Sequence, residues 1–447
     1  MKATLTQVRS FSRPIQLLLL NQLAINVGFY MLMPYLANYL AGTLGLAAWL
    51  VGFILGVRNF SQQGMFLLGG SLADRLGYKQ MIVAGLALRT IGFGLLGFAG
   101  SLPALLVASA TIGFAGALFN PAVRAYLSHE AGTRQVEAFA VFNVFYQLGI
   151  LLGPLLGLAL AAVEFRLVCL VAAGLFLALT MLQIRALPPH TGQHSGTTRA
   201  LTRDWQEVLA NRPFLLFSLA MIGSYVLTFQ VYLGLPLEIR RLTGSELGVM
   251  LLFALSGLLT VLGQLRVTAW AKARWTPAQA LQRGLGLMGL SFLPLALTAP
   301  FTAIPAASNG SWSRMVLVHA VGLTPILLSA MLLALATMIV YPFEMATIVT
   351  LGNDRLIGTY YGLYNTLCGI GIAIGNLLTG VALDAGRRAG LPSLPWTLLA
   401  LAGAGCAWGI HRLDHNDRLT RQPSTPDVES APTQLLEPSP SSSPQAR

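Results

Sequence analysis

A carboxylate inside an apolar run is the residue type that can take up and release a proton within a membrane, and few acids of this chain qualify. Glu344, two residues after Pro342, is the one well inside such a run, while Glu137 and Glu238 lie nearer the ends of theirs. An arginine in the same setting either faces a cavity, where it can balance an anionic group, or belongs to a buried ion pair. Arg58 falls near the middle of the second run with Gln62 one turn on, and Arg89 near the middle of the third. Asn59 and Gln63 repeat the four-residue spacing. Asn26, with Asn21 and Gln22, marks the first run, and Tyr225, Phe229, Gln230, Asn365 and Asn376 could face the same cavity from later runs. Each amide could equally serve as a helix–helix hydrogen bond.

Other chemistries find little support. Cys169, Cys368 and Cys406 show no C-x-x-C spacing, and His190 and His194 sit in a loop rich in Gly and Thr, so no metal or cofactor is expected. No G-x-x-x-x-G-K-[ST] loop occurs, so work against a gradient would draw on an ion gradient. A membrane-embedded enzyme or sensor would need clustered histidines, a catalytic constellation or a fused soluble domain, and the sequence offers none.

The elements that position these residues must be membrane helices. The chain is 55% hydrophobic and 10% charged, with mean hydropathy +0.67, whereas soluble domains carry roughly 25% charged residues. The net charge of +12 does not point to nucleic acid, because the basic residues sit in short breaks between apolar runs. A span needs about 20 apolar residues. Such runs fall near 15–40, 46–69, 81–99, 103–128, 136–160 and 165–187, then near 213–238, 246–270, 278–300, 317–347, 357–383 and 394–412. The first is too long and too polar for a cleaved signal peptide. The pattern predicts an all-α membrane protein, twelve helices in two pseudo-symmetric six-helix bundles. Residues 1–187 form one half, 188–212 a cytoplasmic linker, 213–412 the other half and 413–447 a disordered Ser/Pro-rich tail. Twenty basic residues, among them Arg75, Lys79, Arg124, Arg134, Lys272, Arg274 and Arg355, fall on one side with both termini; the six residues Arg166, Arg240, Arg241, Arg314, Arg387 and Arg388 fall on the other. The excess on the first side places the termini in the cytoplasm.

Asn143, Gly149 and Gly153 of the fifth span recur as Asn365, Gly371 and Gly375 of the eleventh at one constant offset, followed by Leu155–Leu156 and Leu377–Leu378. This supports a duplicated fold with its cavity between the halves.

After the second span the chain reads Gly70-Ser-Leu-Ala-Asp74-Arg75-Leu-Gly77-Tyr-Lys79. Gly70 permits close helix approach, Gly77 a tight turn, and Asp74 can face a helix N-terminus. Arg75 and Lys79 can pair with acids or anionic lipid. The segment resembles the G-x-L-a-D-r-x-G-r-k signature of the major facilitator superfamily, with Tyr78 in place of a basic residue. The resemblance implies a transporter whose loop locks one facing state against the eleventh helix. Gly149-x-x-x-Gly153-Pro154-x-x-Gly157 resembles the antiporter signature of drug–proton exporters in that superfamily, with Leu158 for the final Gly. Its plainer reading is packing glycines and a helix-bending proline. Ser109 stands where those exporters carry an arginine, and the loop copy at Trp270–Arg274 is degraded. Phe60–Gly64, Phe165–Cys169 and Leu394–Trp396 are similar to multidrug exporters of the MdtH type. Together the resemblances imply a monomer in a bacterial inner membrane, its lipid bilayer as surroundings, exporting small amphipathic molecules against protons. A nutrient or metabolite carrier of the same fold is the alternative.

Overall fold

The computed structural model describes residues 2–161, 163–189, 201–243, 247–302, 312–352, 355–416 and 419, and among these it is helical with no strand. A short α1 (Lys2–Arg9) precedes α2 (Arg13–Asn38). There follow α3 (Ala48–Gln63), α4 (Phe66–Leu76), α5 (Tyr78–Phe98), α6 (Leu102–Ala131), α7 (Gln135–Ala161) and α8 (Phe165–Ala186). Beyond the polar break come α9 (Leu201–Ala210), α10 (Arg212–Phe229), α11 (Gly234–Thr243) and α12 (Leu247–Arg274). The chain continues through α13 (Pro277–Leu290), α14 (Leu293–Thr302), α15 (Trp312–Leu351), α16 (Ile357–Arg388) and α17 (Leu394–His415).

Apolar runs of this length resolve as helices because a bilayer core offers the backbone no other hydrogen-bond partner. Nine stretches of the described residues are long and apolar enough to cross a membrane, and one of them, Leu102–Leu160, contains most of both α6 and α7. Three expected spans are broken. The run at 46–69 is α3 and α4, parted at Gly64–Met65 and extending to Leu76; that at 213–238 is α10 and α11, parted around Gln230; that at 278–300 is α13 and α14, parted at Ser291–Phe292. The break residues are apolar or small apart from Gln230, a single polar residue in an apolar stretch, so hydropathy shows each as one run.

Helices before residue 187 pack chiefly on one another, with α5 against α6 and α8, α2 against α7 and α3 against α6. Those after residue 211 do the same, with α13 against α17 and α15, α12 against α15 and α10 against α16. The main ties between the two sets are α4 with α16, α7 with α12 and α15, and α6 with α16. The sequence repeat has a counterpart in packing. A Cβ at Gly149 or Gly153 would run into Asn26 or Tyr30 of α2, and one at Gly371 or Gly375 into Ile222 or Val226 of α10. Both sets therefore close the same seam with the same small residues. Leu155, Leu156, Leu377 and Leu378 all point out of the bundle.

The polar break is partly structured: Leu201–Ala210 is the helix α9, which packs against α16. His190 and His194, and the Ser/Pro-rich segment beyond Leu419, lie outside the described residues.

Candidate functional site

The first polar cluster lies where α4 meets the start of α16. Leu356 precedes α16 in a left-handed conformation (φ 49°) and offers no capping side chain. The opening N–H groups of a helix are left without partners unless a side chain accepts from them. Asp74 of α4 takes that place from the other set of helices. Its Oδ1 accepts from Gly358 N–H (2.8 Å) and the Tyr78 hydroxyl (3.0 Å), and its Oδ2 from Thr359 N–H (2.7 Å) and Thr359 Oγ1 (2.7 Å). Two glycines make the approach possible, since a Cβ on Gly70 would strike the Gly358 carbonyl and one on Gly358 the carbonyl of Gly70. Gly77 (φ 102°) makes the turn into α5. Arg75 pairs with Asp204 of α9 (2.5 Å), Lys79 Nζ donates to the Ile184 carbonyl (2.9 Å), and Trp205 of α9 donates to Ser71 Oγ (2.7 Å). Tyr78, the departure from the signature, is thus a ligand of Asp74.

The contact between the sets fades away from this end. Gly362 abuts Phe66 and Gly369 abuts Gln63, but next along the helices Asn59 and Phe60 on one side and Ile370 and Ala373 on the other are exposed. A Cβ on Gly56 or Gly52 would meet nothing within 4 Å. Between α7 and α12, Lys272 pairs with Glu137 (2.6 Å) and Asn143 donates to Gln264 (2.8 Å).

The second cluster surrounds Glu344 of α15, which is 3% exposed. It accepts from the Tyr364 hydroxyl of α16, and Ser224 Oγ of α10 lies 3.5 Å away. Across the seam, Arg124 of α6 donates to Asn365 Oδ1 (2.7 Å) and bonds the Tyr341 hydroxyl. Among the described residues Arg124 forms no direct ion pair with Glu344. The two charges still act on each other, because screening within the bundle is far weaker than in water. Tyr225 stacks edge-on against Tyr364 (5.9 Å between centroids).

The third cluster lies within the first set. Arg58 donates to Asn59 Oδ1 (2.8 Å) and Gln62 Oε1 (2.9 Å), with its Cζ 4.6 Å from the Phe29 ring centroid. Arg89 sits among the rings of Phe29 (6.0 Å), Phe119 (5.8 Å) and Phe176 (5.8 Å).

Not every polar residue singled out in the sequence joins a cluster. Asn26 is buried in the α2–α7 seam, where its amide donates to its own Gln22 carbonyl (2.7 Å). Gln230 is fully buried at the α10–α11 break, donates to Val226 (2.9 Å) and lies on the Gly234–Trp396 side. Phe229 contacts Tyr232, and Asn376 is half-buried. Thr359, Gly358, Tyr364, Tyr341, Asp204 and Trp205 were not legible in the sequence as partners.

Gly149, Gly153 and Gly157 line one face of α7 against α2, and the Pro154 carbonyl accepts from the Tyr35 hydroxyl (2.8 Å). A Cβ at Gly153 would lie 2.8 Å from Tyr30 Cβ, so Gly153→Leu overpacks a backbone-close seam at a cost of about 1–3 kcal/mol or more. We expect a lower melting temperature by fluorescence-detected size exclusion and loss of transport. Gly94→Leu, where nothing lies within 4 Å, is the silent control. Equal behaviour of the two variants would remove the α2–α7 seam from the account.

The Major Facilitator Superfamily profile matches residues 18–376. An uncharacterized MFS-type transporter of Mycobacterium tuberculosis is 50% identical over 91% of this chain and 94% of its own length. Multidrug resistance protein MdtH of Sodalis glossinidius is 30% identical over 92% of this chain and 95% of its own, and that of Proteus mirabilis 28% over 95% and 100%. The human organic anion transporter MFSD10 superposes with a TM-score of 0.67 at 16% identity, covering 89% of this chain and 99% of its own. At that identity the likeness speaks to fold alone.

Proposed function

The chain belongs to the Major Facilitator Superfamily, and from that premise we propose that it is a proton-coupled exporter of amphipathic small molecules working by alternating access. It is a transporter and not an enzyme. We take the broken pair α3–α4 and the final α17 as crossings, and Leu102–Leu160 as two, which brings the nine stretches to twelve. In this reading residues 1–187 and 213–412 are the rocking halves, joined by 188–212, and both termini face the cytoplasm of a bacterial inner membrane. The protein acts as a monomer.

The observation that carries the coupling is Glu344, a buried carboxylate of one half facing Arg124 of the other. With Glu344 charged, the attraction holds α6 against α15 and α16 and favours the state closed at the Asp74 end. A proton on Glu344 removes that attraction and lets the halves part. The Asp74–α16 cap and the Lys272–Glu137 pair are the other holds on the same closure. Export of amphipathic drugs is supported by relatives named for multidrug resistance and by the glycines of α7.

Vesicles carrying the protein, given an imposed pH gradient and a panel of cationic, zwitterionic and anionic compounds, test this reading. At least one compound should accumulate with the gradient and drive proton movement when added. No gradient-dependent flux for any compound, from well-inserted protein, would sink it.

A further inference from the structure

We propose that Arg89 and Arg58 form a carboxylate-binding site in the first half, and that the transported molecule is an aromatic or otherwise apolar body bearing a carboxylate. The inference rests on the transporter reading above and names its substrate class.

An unpaired guanidinium inside a membrane bundle is costly, by several kcal/mol even after relaxation. Arg89 is 5% exposed, its Nε has no hydrogen-bond partner, and among the described residues no carboxylate pairs with it. Its surroundings are three phenylalanine rings, which attract a cation but do not neutralise it. Arg58 shares the Phe29 ring with it, and its partners Asn59 and Gln62 are neutral amides. Two positive charges thus lie side by side among phenylalanine rings and neutral amides, without a negative charge paired to either among the described residues. Arg75, by contrast, finds an acid in Asp204.

The geometry also supplies an approach. Arg58 is half-buried and adjoins Asn59, on the face of α3 that is exposed beyond the Gln63–Gly369 contact. Gly56 and Gly52 leave that face without side-chain bulk. Gly113 and Gly116 of α6 admit the α3 backbone at Arg58 and the Gln62 and Arg89 side chains, so small residues let both arginines lie close against α6. A carboxylate entering past Arg58 would meet the fork of Arg89, whose planar donors match two carboxylate oxygens. Its apolar body would lie against the half-buried Phe29, with Phe119 and Phe176 fully buried behind Arg89. A cationic amphipath would instead meet two like charges.

Three probes that share a naphthalene ring and differ in head group test this: 1-naphthoate, 1-naphthylmethanol and 1-naphthylmethylammonium. Binding to the purified full-length protein is measured by titration calorimetry without a pH gradient. We expect naphthoate to bind at least tenfold more tightly than either twin. Arg89→Gln should erase that preference, Arg89→Lys restore part of it, and Glu344→Gln leave it in place. If Arg89→Gln yields no monodisperse protein, Arg58→Gln serves, with loss of naphthoate preference again expected. No naphthoate binding, equal binding of the three, or a preference that survives the arginine replacements overturns the proposal. So does displacement of naphthoate by an equal concentration of chloride, which would make the pair a halide site. A naphthoate preference without gradient-driven flux would sink the coupling reading alone. Gradient-driven flux of the ammonium twin would sink this site and leave the transporter reading standing.

Discussion

Asp74→Asn should leave the protein folded in the membrane and lower transport by more than tenfold. The carboxylate accepts four hydrogen bonds, two of them from the first N–H groups of α16. Asparagine keeps one oxygen but turns an NH2 toward donors that need an acceptor, and it loses the charge that complements the helix N-terminus. Bonds to charged groups contribute about 1.5–3 kcal/mol each, and an unsatisfied buried donor costs about 1–3 kcal/mol. A net loss of roughly 2–4 kcal/mol shifts a two-state balance by about thirty- to a thousandfold, enough to depopulate the closed state on which the cycle depends. Two measurements check this. Vesicle flux should collapse, and amide exchange at Gly358 and Thr359 should speed up, because those N–H groups lose their acceptor. Wild-type flux with unchanged exchange would leave the Asp74 cap a structural ornament of the loop.

Glu344→Gln is expected to stop gradient-driven accumulation altogether while substrate still binds, with that binding no longer sensitive to pH. Glutamine fits the same space and still accepts from Tyr364, so the packing at this 3%-exposed position is preserved. What it lacks is the ability to change charge. Without that change the attraction to Arg124 is absent in every step, and nothing links proton movement to the parting of α6 from α15 and α16. The prediction separates coupling from folding. A stable variant that exchanges substrate down its own gradient, but never against it, is the expected phenotype. Should the variant concentrate substrate with an unchanged response to the pH gradient, the proton is carried elsewhere and Glu344 is a packing residue.

The apolar runs were enough to fix a helical membrane protein, because the absence of water in a bilayer core leaves the backbone one economical answer. The loop residues Gly70, Asp74 and Gly77 were legible for a similar reason: a close approach, a helix cap and a positive φ each admit few residue types. The repeated glycines of α7 and α16 were legible as a pattern, and their partners Tyr30 and Val226 became visible only once both seams were formed. Tertiary structure decided the rest. Asp74 caps a helix 284 residues further along the chain, and no local rule names Gly358 or Thr359 as the donors. Asn26 and Gln230 look in sequence like Asn59 and Gln62, yet the first pair is spent inside helix seams and the second holds the Arg58 guanidinium. A mid-span arginine reads the same whether it has an acid beside it or not. That Arg89 has none among the described residues, and that Arg124 reaches Asn365 and not Glu344, depends on which faces of distant helices meet. Hydropathy is a property of each residue along the chain. Pairing is a property of surfaces brought together across it, and the function lies in the pairing.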